Sequence, residues 1–355
     1  MTASESEHGG VRVARTGRTG RITLDRPRAL NALTHSMVRE IAAALDAWEH
    51  DPEVTQVLVD GAGGRGLCAG GDVRAIHRDA AGGGTGTVAF WRDEYRLNAR
   101  VARYPKPYVA FMDGIVMGGG VGISAHGGVR VVTERSRVAM PETGIGFVPD
   151  VGGTHLLGRA PGELGLHLAL TGDAVGAADA VLCGLADQFV PSARLPELAR
   201  DLAGADVHEV LPEYAEPAGT GELASARAWI DACYCAPTAE EIVDRLLGHG
   251  DPAAKEAAET ILGRSPTAVK VTLASVRRAR ALGTLERVLE QEFRVSCAAL
   301  AGLPDLVEGI RAQVIDKDRR PRWNPASLTE VDATAVARFT EAPEVPGPPL
   351  GLAGA

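Results

Sequence analysis

Tyr108-Val-Ala-Phe-Met112 runs directly into Asp113-Gly-Ile-Val-Met-Gly-Gly-Gly-Val-Gly-Ile-Ser-Ala-His126. A short apolar run bounded by Asp-Gly reads as a buried strand. The glycines that follow let the backbone turn tightly, approach a ligand closely and point its N–H groups inward where a helix begins. The stretch 108–125 approaches membrane-spanning length, but Asp113 and five glycines within it make strand, turn and helix the reading. A second segment repeats the pattern. The apolar run 57–59 leads toward Gly66-Leu-Cys-Ala-Gly-Gly-Asp-Val-Arg74. Two such loops, each supplying one N–H, make an oxyanion hole for the negative oxygen formed when a thioester carbonyl is attacked.

Further along lies Met140-Pro-Glu-Thr-Gly-Ile-Gly-Phe-Val-Pro-Asp-Val-Gly-Gly153, with two carboxylates and no Lys or Arg. Apolar surroundings disfavour a charged carboxylate and raise its pKa toward values useful for proton transfer. Gly and Pro turns between Glu142 and Asp150 allow both acids to reach one pocket and divide acid and base roles. Glu142 capping a helix and Asp150 opening a turn is the plainer reading of each acid taken singly. The two glycine turns upstream tip the balance toward chemistry.

The flanks follow the same alternation. Residues 21–25 read as a short strand, 34–49 as an amphipathic helix with Thr34 as N-cap, and 56–60 as the next strand. The glycine-rich 81–87 interrupts the pattern, and 90–102 is helical again. Strands alternating with helices predict an α/β fold with right-handed βαβ crossovers in stacked sheets. After Phe189-Val190 the composition turns helical, at 195–202, 224–247, 267–282 and 284–300.

The chain has 355 residues and a formal net charge of −9, which argues against a nucleic-acid surface. Arg26, Arg28 and Arg74 remain candidates for holding the anionic end of a ligand. The five cysteines (68, 183, 233, 235 and 297) form no disulfide framework or zinc-ligand spacing, so a reducing compartment and no metal are expected. Cys68, next to the glycine turn, reads as core filling, and His126 as a packing histidine. The N-terminus lacks the pattern of a signal peptide, and a cytoplasmic protein without membrane contact is expected.

These motifs resemble the crotonase (enoyl-CoA hydratase/isomerase) superfamily, through Pro27-Arg-Ala-Leu-Asn-Ala-Leu33, Cys-Ala-Gly-Gly-Asp and Met-Gly-Gly-Gly. Glu94-Tyr-Arg-Leu-Asn98, Pro105-Lys-Pro-Tyr108, the Met-Pro-Glu…Phe-Val-Pro-Asp segment and Glu308-Gly-Ile-Arg-Ala-Gln-Val-Ile-Asp-Lys-Asp318 with Trp323 place the likeness in the 3-hydroxyisobutyryl-CoA hydrolase branch. The resemblance implies a spiral of ββα units over 11–190 that binds acyl-CoA. It also implies a mostly helical lobe over 191–335; the polar, acidic 1–10 reads as a flexible N-terminus, and 336–355, poor in apolar side chains and rich in Pro, Gly and Ala, as a disordered tail.

By the same resemblance, the N–H groups of Ala69 and Gly119 form the oxyanion hole. Glu142 and Asp150 are catalytic, and Glu94 receives the substrate's 3-hydroxyl. Arg28, Ala29, Gly70 and Asp72 are the CoA-binding candidates. No cofactor beyond the CoA of the substrate is implied, and a homo-oligomer is left open. The implied reaction is thioester hydrolysis in valine breakdown. A second carboxylate of hydratases would fall at Gly122, and Asp150 stands where they carry a small residue, so hydration is the weaker alternative. A non-catalytic CoA-binding protein would not need both acids. Gly144, where Ala is usual, and Thr154-His155, where an aromatic is commoner, leave the acyl chain open. So does the route, in which Glu142 either attacks the carbonyl or activates water.

Overall fold

The computed structural model describes residues 10–302, 304–341, 345 and 347–352. The N-terminal segment expected to be flexible lies outside these residues, apart from Gly10. Among the described residues there are eight strands: β1 (Val11–Thr16), β2 (Thr19–Leu24), β3 (Gln56–Gly61), β4 (Tyr108–Met112), β5 (Ile115–Met117), β6 (Val129–Val132), β7 (Arg137–Ala139) and β8 (Gln188–Phe189). Six of them form one sheet in the order β1-β2-β3-β4-β6-β8. Its strands are parallel except for the β1/β2 hairpin. A second, small parallel layer pairs β5 with β7. The α/β class and the stacked sheets agree with the alternation in the sequence.

The central strands β3 and β4 are almost wholly buried because the sheet is covered on both faces. Successive side chains alternate between two cores. Val57, Val59, Ala110 and Met112 join the large core. Leu58, Val109 and Phe111 face the other way, onto Leu195, Leu198, Leu202 and Tyr214. The chain after residue 190 is therefore divided. Its first turns cover the back of the sheet, while its later helices share the large core with the α/β part.

Among the helices, α1 (His35–Glu49) starts where Thr34 accepts from the Met37 N–H, and it buries Met37, Ile41, Leu45 and Trp48. Next come α2 (Val73–Ala80), α3 (Thr85–Ala102), α4 (Gly119–Ser124) and α5 (Gly153–Arg159). The predicted helix over 224–247 is two helices, Glu222–Tyr234 and Ala239–Gly248, separated at Pro237.

The tail corrects the expectation of disorder from 336. Ala333–Thr340 is a helix that buries Phe339. Beyond it, Leu350 and Leu352 are buried, and Arg96 donates to the Leu350 carbonyl at 2.9 Å. Prolines and glycines dilute the apolar content of this tail, yet its few leucines find core positions prepared for them.

Candidate active site

The two glycine loops lie side by side. Cys68 N–H donates to the Ile115 carbonyl at 3.1 Å and Met117 N–H to the Cys68 carbonyl at 2.9 Å, which zips the loops together. Gly70 (φ 105) and Gly118 (φ 49) adopt backbone angles that side chains disfavour, and these turns swing the following amides toward each other. A Cβ built at Gly119 would lie 3.4 Å from the Gly71 nitrogen.

The Pro27–Leu33 motif braces this arrangement. Leu30 and Asn31 hold positive φ, and the buried Asn31 amide donates to the carbonyls of Ala62 and Gly66 at 3.0 and 3.1 Å. Leu30 carbonyl accepts the Ala69 N–H at 3.0 Å. Ala69 was the residue expected to furnish one half of the oxyanion hole, and its amide is already engaged. The N–H groups of Gly71 and Gly119 have no acceptor among the described residues. The pair of unengaged amides is thus two residues further along the first loop than the resemblance suggested.

Glu94, Glu142 and Asp150 line one cavity of about 280 Å³ with these glycines. All three are buried, at 2%, 6% and 6% exposure, although an unpaired acid is rarely found so deep in a fold. Glu94 comes from the middle of α3, Glu142 opens a 3₁₀ turn (Glu142–Ile145), and Asp150 precedes α5. Oε1 of Glu94 lies 2.5 Å from where a Cβ at Gly119 would be, and Oε1 of Glu142 lies 2.9 Å from the same point at Gly118. Glycine is required at both positions because the acids occupy the space a side chain would take. Glu94 Oε1 and Glu142 Oε2 are buried without a hydrogen-bond partner among the described residues.

Burial pushes the Asp150 carboxyl up to about 7, against the opposing hydrogen bond from Tyr95. Glu142 is raised well above the carboxylate range by burial and then by the neighbouring Asp150 charge, as is Glu94. Of the three acids, Asp150 is therefore the one that ionises most readily.

Asp150 sits in a strained turn. Val151, a β-branched residue, has φ 53, a conformation that needs support from its surroundings. Three contacts supply it. His126 Nε2 lies 2.8 Å from the Val151 carbonyl. Glu292, on the helix Leu285–Gly302, accepts from the N–H of Gly152 at 2.6 Å and of Thr154 at 2.9 Å. The Val151 side chain fills the place beside Gly122, where a Cβ would meet Val151 Cβ at 2.7 Å and Asn98 Nδ2 at 2.9 Å. His126 is thus a packing residue, held neutral by burial with a pKa lowered to about 4. Cys68 is also inert, its thiol pushed up to about 12 by burial.

The C-terminal motif packs onto the cavity and the turn that carries Glu142. Leu306, Ile310 and Gln313 line the cavity. A Cβ at Gly309 would stand 2.3 Å from the Ile145 backbone, so this helix rests directly on the Glu142 turn. Arg311 ties Glu308, Asp316 and Asp318 together at 2.7–2.8 Å. Trp323 Nε1 donates to the Gly263 carbonyl at 3.0 Å. Next to that carbonyl, Arg264 also lines the cavity, with Nη1 3.0 Å from where a Cβ at Gly144 would lie.

The CoA-binding candidates separate. Gly70 lines the cavity. Asp72 caps α2 and pairs with Arg26 at 3.1 Å, so both have structural partners. Arg28 and Ala29 are exposed on the turn Pro27–Ala29, and Arg74 donates to the Val314 carbonyl. Tyr95, Glu292 and Ser296 were not anticipated. The only signal for Glu292 and Ser296 is that polar residues occupy the apolar face of their helix, in step with Leu285, Val288, Leu289 and Val295.

Comparison with known proteins gives this constellation its family. A family model described as enoyl-CoA hydratase/isomerase matches residues 19–340, and the chain belongs to that family, with the crotonase-type fold. Among curated relatives, the mitochondrial 3-hydroxyisobutyryl-CoA hydrolase of Rattus norvegicus is 42% identical over 340 residues, spanning 93% of this chain and 88% of that protein. The Homo sapiens protein of the same name is 42% identical, over 90% and 86%. Among solved structures, a carnitinyl-CoA dehydratase from Mycobacterium thermoresistibile is 51% identical with a TM-score of 0.93, over 98% of this chain and 100% of that one. An enoyl-CoA hydratase from Rhodobacter sphaeroides is 45% identical with a TM-score of 0.88, over 93% and 97%.

Proposed function

We propose that this protein hydrolyses a short 3-hydroxyacyl-CoA thioester, 3-hydroxyisobutyryl-CoA, to the free hydroxy acid and CoA, a step suited to valine breakdown. The observation that carries the reading is the convergence of three buried acids on two unengaged amides in one cavity. Curated relatives named for this hydrolysis support the acyl group.

In this reading the thioester oxygen accepts from the N–H groups of Gly71 and Gly119. Asp150, the ionised acid, takes a proton from water, whose oxygen attacks the carbonyl carbon. The negative oxygen of the tetrahedral species rests on the two amides, where each donor is typically worth about 2.7–4 kcal/mol. As the C–S bond breaks, protonated Glu142 gives its proton to the departing sulfur. Proton transfer from Asp150 to Glu142 then restores the pair. Glu94, beside Gly119, meets the 3-hydroxyl. Gly70 and the nearby turn carrying Arg28 and Ala29 are the proposed CoA contacts. Labelled-water turnover and hydroxylamine trapping distinguish this route from direct attack by Glu142, which would leave label in the enzyme and a trappable anhydride.

The two structural relatives, called a carnitinyl-CoA dehydratase and an enoyl-CoA hydratase, favour a second reading, addition or loss of water at a carbon–carbon bond. The packing of Val151 and Asn98 against Gly122 weighs against it, because no room remains there for a second water-positioning carboxylate. Release of free thiol from 3-hydroxyisobutyryl-CoA, without formation of an enoyl product, supports hydrolysis; the reverse outcome rejects it. A cytoplasmic setting is part of the same proposal. All five cysteines are free thiols, and no helix among the described residues is long and apolar enough to cross a membrane. The named relatives are mitochondrial, so fractionation of the source cells is the check.

A further inference from the structure

We propose that Tyr95 is a positioning residue for Asp150: its phenol, seated on Ser296, pins one carboxylate oxygen so that only the other faces the reacting water. The inference rests on the hydrolytic reading, in which Asp150 is the base. Tyr95 follows Glu94 on α3 but does not line the cavity, and is fully buried against Phe293 at a ring separation of 5.8 Å. Its hydroxyl lies 2.6 Å from Oδ2 of Asp150 and 2.8 Å from Oγ of Ser296. Burial keeps the phenol protonated, its pKa raised well above the ordinary value, so at neutral pH it is a donor. It has one proton for two neighbours. With Asp150 ionised, Tyr95 donates to Oδ2, and Ser296 donates to the phenol oxygen. When Asp150 takes a proton from water in the reaction, it takes it on Oδ1, and Oδ2, then a carbonyl oxygen, goes on accepting from Tyr95.

This bond matters because, among the described residues, no other side chain donates to the Asp150 carboxylate: Arg264, the cation lining the same cavity, is engaged with the Thr171 carbonyl, and the remaining titratable neighbours are acids or neutral. Glu94 on α3, Glu142 on the same segment and Glu292 on the helix Leu285–Gly302 are acids, while His126 behind Val151 is uncharged. Tyr95 is therefore the side-chain donor that favours the ionised form, against burial. A tyrosine with a purely structural role would lose packing when changed, yet leave the ionisation of Asp150 alone.

The test compares Tyr95→Phe, Ser296→Ala and wild type by the pH profile of kcat/KM for thioester hydrolysis. Difference infrared titration of the Asp150 carboxyl, with Asp150→Asn as the blank, is run alongside. Tyr95→Phe should move the acidic limb and the infrared titration upward together, by roughly one pH unit or more, as expected for losing a hydrogen bond to a charged group. Ser296→Ala should move both in the same direction by less. Unshifted titrations in either folded variant, or a uniform loss at every pH, would overturn the proposal. Should Tyr95→Phe fail to fold, Ser296→Ala decides alone. A wild type that titrates as described but releases no thiol would sink the hydrolytic reading and leave the Tyr95–Asp150 coupling standing.

Discussion

Burial holds the Asp150 carboxyl near about 7, whereas an ordinary aspartate releases its proton near 3.8. Between about pH 4 and pH 7 the folded chain thus binds a proton that the unfolded chain has lost. Stability conferred by the protonated form is lost as pH rises through that window and does not return above it. Asp150→Asn, neutral throughout, should therefore melt a few degrees higher than wild type at pH 8 and nearly level with it at pH 4. The same variant, and Glu142→Gln, should lower hydrolysis about 10²–10⁴-fold, measured by thiol release at unchanged circular dichroism. Glu94→Ala should erode the preference for the 3-hydroxyacyl over the unsubstituted thioester roughly two- to tenfold in kcat/KM, since a hydrogen bond between neutral groups contributes about 0.5–1.5 kcal/mol. An equal loss on both substrates would return Glu94 to a structural role.

At this scale the gathering of Glu142 and Asp150 in one cavity is legible because a carboxylate among glycines and apolar residues is locally conspicuous. The supporting residues are not. Tyr95 and Ser296 lie 55 and 201 positions from their respective partners in this network, and only tertiary folding joins them. Ala69 was misassigned because a glycine-rich loop does not announce which of its amides the Pro27–Leu33 turn has already engaged.

The elements that place these residues repeat one device, a glycine standing where a neighbour's side chain must lie. Gly122 shows it most plainly, since it allows Val151 to hold its positive φ and Asp150 to face the cavity. Gly122→Ala should cost about 1–3 kcal/mol in urea unfolding, as overpacking does, and should lower kcat more than it raises KM. Stability and kcat both unchanged would mean that the turn does not depend on that packing. Helix α1 and strand β4 were plain from periodicity and from an unbroken apolar run. The helix Pro252–Leu262 was missed because alanines form most of its buried face and produce little contrast.

On the scale of the molecule, one core joins the α/β part to the C-terminal helices. The site is finished only when residues 285–315 close over it. Glu292 holds the Asp150 turn from behind, and Gly309 lets the next helix rest on the Glu142 turn. Gly309→Ala should lift that helix and raise KM for the acyl-CoA several-fold, with a lower melting temperature read by calorimetry. The tail was illegible for a related reason: Leu350 and Leu352 look isolated in sequence and meet their core only at the end of the chain.

Whether these acids cut a thioester or hydrate a double bond is decided by one assay. Purified protein is offered 3-hydroxyisobutyryl-CoA, its unsubstituted isobutyryl analogue and a short enoyl-CoA, while free thiol and enoyl absorbance are followed together. Fast thiol release from the 3-hydroxyacyl substrate, slower release from the unsubstituted one and no loss of enoyl absorbance is the predicted result. Loss of enoyl absorbance with no thiol released from any substrate would contradict it.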